Sequence, residues 1–185
     1  VGGVARPFWT GGEIAYYGNT TLYSGAYSLS AISNPSYGIF AGGLHGSATN
    51  SYISSSFSAY DKSLIRTNGS ISGYALGYEG AASSIGDYAI FAGGRSGFAS
   101  YEYTNIGFAI NSSLTQTRCD LSVGRSDFSA GTIGNYAVFS GGEQVSGAGS
   151  SDATNTNRID YFNSSLTRNT SSMNATCRGW RGGRT

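Results

Sequence analysis

Short apolar runs alternate with glycine-rich polar segments along this chain, and no stretch has helical periodicity. Three runs are nearly the same phrase: YGIFAGG from Tyr37, YAIFAGG from Tyr88 and YAVFSGG from Tyr136. Each run is apolar on both faces, as a strand buried on both sides must be. The glycine pair that follows allows a positive φ or close approach of a neighbouring backbone. We therefore predict three buried strands, each ending at a structural glycine pair: Gly42 and Gly43, Gly93 and Gly94, Gly141 and Gly142.

A second repeated phrase lies between the glycine pairs and ends in leucine, as GNTTL, YDKSL, INSSL and FNSSL. Asn or Asp followed by small hydroxyl residues is turn chemistry, because the side chain bonds its own backbone two residues on. We predict that the leucine beyond each turn is an anchor that re-enters the core. The four leucines are Leu22, Leu64, Leu114 and Leu166.

The two phrases recur roughly fifty residues apart, which defines a repeat. Ile85-Gly-Asp87 and Ile133-Gly-Asn135 predict tight hairpins that lead into the next glycine-pair strand. Each unit then holds about four short strands, and one such sheet cannot bury both faces alone. Four-stranded units stacked around an axis make a β-propeller. We predict an all-β fold in one repeat domain over residues 1–185, with approximate repeats 1–36, 37–87, 88–135 and 136–185.

The repeat resembles the kelch repeat. In that family an apolar strand ends in a glycine pair, and an aromatic strand later runs into a turn like those above; here the aromatic is Tyr60 or Phe162, with Ile110 in the third copy. The family's tryptophan anchor is replaced by leucine. Its arginine before the next repeat matches Arg125 and Arg178, and the second copy has none. The resemblance implies a propeller fold and says little about function, since kelch propellers serve many functions.

The number of blades is left open by the sequence. Kelch propellers usually close with six or seven blades, and about four are expected here. Either four blades close, or the chain is part of a longer propeller, or several chains share one ring. The chain opens without an initiator Met, and we expect a processed form or a piece of a longer protein, or an assembly with partner chains.

Composition excludes several classes of function. Charged residues make up 11% of the chain and the formal net charge is +1, so no basic field exists to hold nucleic acid. No apolar run approaches the length of a transmembrane helix. Cys119 and Cys177 cannot make a four-ligand zinc site unaided, and either a disulfide or two free thiols fits the sequence. We expect no metal and no cofactor.

Candidate catalytic residues are scarce. His45 is the single histidine, so a Ser-His-Asp triad has one candidate base, and we expect a loop histidine without function. A copper oxidase of the kelch-like type needs two histidines and is excluded. The sialidase repeat box with its Asp and Trp is absent, and the acidic residues follow no calcium-binding pattern. Six Asn-x-Ser/Thr sequons open at Asn19, Asn68, Asn111, Asn163, Asn169 and Asn174, and three of them lie in the repeated turn. We expect no catalytic residue.

The segments after the glycine pairs diverge in length and composition, and in repeat arrays such loops gather on one face, commonly the binding face. Tyrosine and arginine are typical interface anchors, and aromatic faces also suit sugars. The alternative is that the tyrosines only pack between blades. The candidate ligand- or partner-binding residues are Tyr52, Arg95, Phe98, Tyr101, Tyr103, Glu143 and Gln144.

These patterns favour a non-catalytic binding or structural module that presents variable loops to another protein subunit or to a surface carbohydrate. Low charge and high Gly, Ser and Tyr content indicate an extracellular or virion-surface protein. One alternative is a carbohydrate-active enzyme on a propeller scaffold, which would gather at least two carboxylates at one mouth. A second alternative is an intracellular kelch adaptor, although the tryptophan anchors of that class are missing.

Overall fold

The computed structural model describes residues 26–47, 50–71, 76–96, 102–145 and 153–177. All regular secondary structure in these ranges is β-strand, which confirms the predicted all-β class. The strands are β1 (Ser30–Ser33), β2 (Gly38–Ala41), β3 (Leu44–Ser47), β4 (Asn50–Ile53), β5 (Ser56–Tyr60), β6 (Arg66–Ser70), β7 (Ala81–Ile85), β8 (Tyr88–Ala92), β9 (Gly107–Ile110), β10 (Gln116–Arg118), β11 (Ser129–Ile133), β12 (Tyr136–Ser140), β13 (Glu143–Val145), β14 (Ala153–Phe162) and β15 (Arg168–Cys177). Within the described ranges, no helix has the length and apolar character needed to cross a membrane.

Three antiparallel sheets follow one another along the chain. Sheet I has the order β1-β2-β5-β6, sheet II the order β7-β8-β9-β10, and sheet III the order β11-β12-β14-β15. The β3–β4 hairpin lies between β2 and β5 in sequence, and β13 pairs with the first part of β14. The glycine-pair strand is the second strand of each sheet. The sheets are therefore offset by one strand from the repeats that begin at residues 37, 88 and 136.

Strand β8 shows why its sequence is apolar at every position. Ala89 and Phe91 belong to a core cluster shared with sheet I. Ile90 and Ala92 point the other way, into a second cluster shared with sheet III. Successive side chains of a strand point to opposite faces, so a strand between two sheets needs apolar residues throughout. The predicted burial on both sides is confirmed for β8, whereas β2 and β12 are fully buried on one face only, with Phe40 36% and Tyr136 44% exposed.

The sheets also meet through their first strands. Ser30 Oγ donates to the Gly80 carbonyl at 3.1 Å, which joins β1 to the start of β7. Ser83 Oγ donates to the Gly131 carbonyl at 2.8 Å, which joins β7 to β11. Each sheet is thus placed against the next by the same strand, with both apolar and polar contacts.

The predicted role of the glycine pairs is confirmed. All six residues have a positive φ, with values of 72° and 86°, 69° and 102°, and 71° and 102° for the successive pairs. Gly94 shows the steric reason, since a Cβ there would lie 2.6 Å from the Tyr78 carbonyl oxygen. Its N–H donates to the Arg125 carbonyl at 2.8 Å, so the missing side chain lets neighbouring backbone segments come together.

The three Asn/Asp turns within the described residues form as predicted, and the one at Asn19 lies outside them. Asp61 Oδ1 accepts hydrogen bonds from the N–H groups of Ser63 and Ile65 at 2.8 and 2.9 Å. Asn111 and Asn163 make the same two bonds in sheets II and III. The register of Ile85 opposite Tyr88, and of Ile133 opposite Tyr136, confirms the two tight hairpins.

The predicted core anchor at the end of the turn phrase is wrong for Leu64, which is 43% exposed. Leu114 and Leu166 are half-buried and pack against the edges of the two core clusters. All three leucines have a positive φ, at 58°, 60° and 58°. This geometry follows a type I turn in a three-residue hairpin loop, so local turn geometry rather than core packing fixes the backbone there. Leu22 lies outside the described residues.

Candidate functional site

The residue after each glycine pair is held by the same backbone bridge in all three sheets. The bridges pair Leu44 with Tyr27, Arg95 with Tyr78, and Glu143 with Ser126. These residues occupy one repeat position at equivalent ends of neighbouring sheets. The scaffold therefore presents different side chains from one geometry, as expected for variable segments of a repeat array.

Three of the predicted site residues come together around Arg95. Its Nε lies 3.0 Å from Glu79 Oε2, and its NH2 atom lies 3.7 Å from Glu143 Oε2. The guanidinium lies over the Tyr103 ring, 5.6 Å from the centroid. We call Tyr78, Glu79, Arg95, Tyr103 and Glu143 the Arg95 cluster. The cluster joins sheets II and III at their loop ends, which are the ends where the glycine pairs lie.

Negative charge exceeds positive charge at this cluster. Asp127 lies beside it, and its N–H donates to the Glu79 carbonyl at 3.1 Å. Burial raises the pKa of Glu79, Arg95 acts in the opposite direction, and the charges of Asp127 and Glu143 raise it further. One guanidinium thus pairs with two carboxylates, and the raised pKa of Glu79 means that this carboxyl group holds its proton more tightly than an isolated side chain does.

Tyr103 is a hydrogen-bond donor over the whole physiological range. Burial and the neighbouring Glu143 carboxylate raise its pKa to about 12. Burial also raises the pKa of Tyr78, against the effect of Arg95. A tyrosine nucleophile needs an activated, more acidic hydroxyl. Both tyrosines instead have the character of neutral binding groups.

Gln144 adjoins the cluster through Glu143 on β13. Its Oε1 atom is buried and has no hydrogen-bond partner in the described part of the chain. A buried acceptor without a partner is costly, so such atoms in native structures call for a physical reason. A ligand donor that reached this oxygen would provide one.

Tyr52 forms a separate aromatic surface on the β3–β4 hairpin, a two-stranded sheet that is inserted between β2 and β5 in the sequence. It is 65% exposed, and its ring stacks on the buried His45 ring with centroids 5.4 Å apart and an interplanar angle of 12°. The cross-strand pairing of these two residues sets the stack. Tyr52 therefore does not pack between sheets. His45, expected to have no function, is its structural support.

Phe98 and Tyr101 lie outside the described residues. Sequence reasoning missed Glu79 and Asp127, although a signal was present. Ser28, Glu79 and Asp127 each precede the second glycine of a pair by the same interval, and all three have a positive φ of 54°, 60° and 51°. Aligning the chain on its glycine pairs places the two carboxylates at one repeat position.

Arg125, which the resemblance to the kelch repeat singled out, lies beneath the Arg95 cluster. Its side chain is fully buried, and NH1 lies 2.6 Å from Asp160 Oδ2, which is also fully buried. Arg125 NH2 donates to the Phe139 carbonyl at 3.1 Å. This pair ties the segment before sheet III to β14 and so holds Ser126 and Asp127 in place. Arg178 lies outside the described residues.

Neither a metal centre nor a disulfide is present in the described ranges. No group of three or more His, Cys, Asp or Glu side chains there is arranged to hold a metal ion. Cys119 and Cys177 are both free thiols, which decides between the two alternatives that the sequence left open. Burial raises the pKa of Cys119 to about 12, so this thiol is protonated and unreactive.

No family model matches the sequence, and no curated protein matches it either. Among solved structures, the chain is similar to one titled "Structure of YjhT", with a TM-score of 0.66 and 12% sequence identity. The match covers 86% of this chain and 58% of YjhT, so the chain spans little more than half of that protein's length. At this identity the likeness concerns the fold alone. The chain thus shares an all-β arrangement of packed antiparallel sheets with a known structure.

Proposed function

We propose that the chain is a non-catalytic binding or structural module, built as a kelch-like propeller segment that presents its loop ends to a protein subunit or a surface carbohydrate. The succession of four-stranded sheets, joined through β1, β7 and β11, supports the propeller arrangement. An extracellular or virion-surface location fits the low charge and is part of the same proposal.

The Arg95 cluster is the observation that carries this proposal. Arg95, Tyr103 and Glu143 come from two sheets and meet at one end of them. Such a set offers donors, acceptors and an aromatic face within a few ångströms, which is what recognition of a polar partner requires. The raised pKa of Tyr103 keeps its hydroxyl protonated, in line with binding rather than nucleophilic attack.

Tyr52 on the β3–β4 hairpin supports the same proposal. Its exposed ring is held flat by His45, and an aromatic face of this kind suits the apolar side of a sugar ring or a partner's side chain. The two features share the loop-end side of the scaffold, because each follows a glycine pair.

A carbohydrate-active enzyme is the second candidate, and one observation favours it. Glu79 and Asp127 line an open cleft of about 1230 Å³ that runs along β1 and β7. Glu143 and Arg95 lie next to Glu79, so several carboxyl groups are gathered at one end, as an enzyme would need. Against catalysis stands the ion pairing of Glu79 and Glu143 with Arg95.

A glycan array followed by calorimetry on the variants Tyr52→Ala and Arg95→Met tests the carbohydrate form of the proposal. Each change should weaken binding by at least about fivefold, or roughly 1 kcal/mol. Ile65→Ala is the matched control, because this exposed residue lies at the opposite hairpin of sheet I and should leave affinity unchanged. A blank array rules out the sugar partner.

The subunit form is tested by imaging the native particle. Loop ends in contact with a neighbouring subunit would support it. Loop ends that contact no neighbouring subunit, together with a blank glycan array, would overturn the proposal. If the chain hydrolysed aryl glycosides and Glu143→Gln abolished that activity, the carbohydrate-active enzyme would replace the binding module as the proposed function.

A further inference from the structure

The two faces of a glycine-pair strand pack in opposite directions along the row of sheets, one toward the next sheet and the other toward the previous sheet. Ile39 of sheet I packs toward sheet II, in the cluster that also contains Phe91. Ile90 of sheet II packs toward sheet III, in the cluster that also contains Phe139. In sheets I and II, the face with the aliphatic residue of the glycine-pair strand packs on the next sheet, and we call it the forward face. In sheets II and III, the face with the phenylalanine packs on the previous sheet, and we call it the backward face.

The forward face of sheet III is apolar, and no other sheet of the described residues covers it. Val138 stands at the position of Ile39 and Ile90, and the cross-strand pairing places Tyr161 beside it. Ile133 is 69% exposed, whereas its counterpart in sheet II, Ile85, is 6% exposed. Neither core cluster of the described residues includes Ile133, Val138 or Tyr161. The repeated sequence thus places an apolar packing surface here, as it does on sheets I and II.

The backward face of sheet I shows the complementary feature. Phe40 is 36% exposed, whereas Phe91 and Phe139 at the same repeat position are 1% and 0% exposed. Its ring meets only the edge of Tyr60 among the described aromatic residues, with centroids 5.9 Å apart. Among the described residues, neither core cluster gives Phe40 the aliphatic counterpart that Phe91 and Phe139 have.

We propose that a second copy of this chain covers these faces, with the forward face of sheet III packed on the backward face of sheet I of the other copy. The same two faces already fit each other twice within one chain, with Ile39 against Phe91 and Ile90 against Phe139. The new contact places Val138 against Phe40 and repeats the packing that sheets I and II, and sheets II and III, already make.

The expected assembly is a closed head-to-tail dimer. Two copies bring together six described four-stranded sheets, within the range of about four to eight that forms a closed ring. A head-to-tail contact made twice closes on itself, whereas an unclosed one would give filaments. The association does not depend on the loop-end residues, so it can fail or succeed separately from the proposed binding function.

Sedimentation velocity on the full chain, from low to about 100 µM concentration, tests the proposal. We expect a concentration-dependent dimer whose dissociation constant rises at least tenfold in Ile133→Asp. Ile65→Asp is the matched control, since Ile65 is 65% exposed and lies in the β5–β6 loop, outside the strands of sheet I. Thermal unfolding of both variants shows that the fold is retained. A chain that stays monomeric throughout, or equal effects of the two variants, would overturn the proposal.

Phe40→Asp distinguishes head-to-tail from symmetric association. In a head-to-tail dimer, Phe40→Asp and Ile133→Asp each weaken self-association, while a mixture of the two variants regains one intact contact and forms heterodimers. A dimer made of two forward faces would be unaffected by Phe40→Asp, and that result would refute the arrangement.

Discussion

The buried pair of Arg125 and Asp160 gives the sharpest test of what holds sheet III in place. Both side chains are fully buried, and Asp160 also accepts hydrogen bonds from the N–H and hydroxyl of Ser122 at 2.9 and 3.1 Å. Burial lowers the pKa of Arg125, and the attraction of Asp160 works against that effect. Asp160→Asn keeps the size of the side chain and removes the charge that compensates the guanidinium.

Breaking a buried ion pair by removing one partner costs about 3–5 kcal/mol, because the other charge stays buried and uncompensated. For a domain of this size, each 1 kcal/mol lowers Tm by about 2–4 °C, so Asp160→Asn should unfold roughly 6–20 °C lower. Replacing both partners, as Arg125→Met with Asp160→Leu, should cost less than the sum of the single changes by at least about 2 kcal/mol, because no buried charge remains.

Urea and thermal unfolding followed by circular dichroism measure these free energies. Asp61→Asn is the matched control, since the same turn is built on Asn111 and Asn163 in the other sheets, and it should change stability by less than about 0.5 kcal/mol. A cost below about 1 kcal/mol for Asp160→Asn, or strict additivity in the double variant, would refute the assigned role of the pair.

Three further predictions concern single residues. Gly94→Ala should lower the free energy of unfolding by more than about 2 kcal/mol, because φ is 102° and the new Cβ would lie 2.6 Å from the Tyr78 carbonyl oxygen. Gly131→Ala is the control and should be nearly neutral, since no atom lies within 4 Å of its Cβ. Leu64→Gly should raise stability by up to about 1 kcal/mol by relieving a positive φ at an exposed side chain, and an equal gain from Leu114→Gly would contradict the packing seen there. The pKa of Tyr103, raised from 10.0 to about 12, means that its contribution to stability is complete below pH 10 and is lost as pH rises through 12; ultraviolet titration should lose its most alkaline component in Tyr103→Phe.

Much of the fold was predictable because it depends on local rules. The letters YAIFA predict a strand buried on both faces, and the continuous burial from Ala89 to Ala92 in β8 confirms it. The Asn/Asp turn was predictable because its hydrogen bonds lie within five residues. The leucine beyond that turn was not, since its size suggested a core position while the hairpin geometry gave it a positive φ and left Leu64 at the surface.

The candidate site was predicted only in part. Arg95, Tyr103 and Glu143 were chosen because they follow glycine pairs, and the structure brings them together. Glu79 was missed because it follows no glycine pair. Its place in the site comes from the ion pair with Arg95, which the folded chain brings beside it. The offset of the sheets from the repeats was also hidden, since the sequence does not show which strand of a unit comes first.

The sequence by itself determined the strands, the turns and the stacking of like units, because these follow from side-chain alternation, backbone freedom at glycine and hydrogen bonds between near neighbours. The tertiary structure alone decided which charges meet, because Arg95 finds Glu143, and Arg125 finds Asp160, across sheet boundaries. It also decided which apolar faces stay open. Phe40 and Phe139 have the same repeat position, but Phe139 packs on sheet II and is buried, whereas no sheet of the described residues covers Phe40 and its ring is exposed.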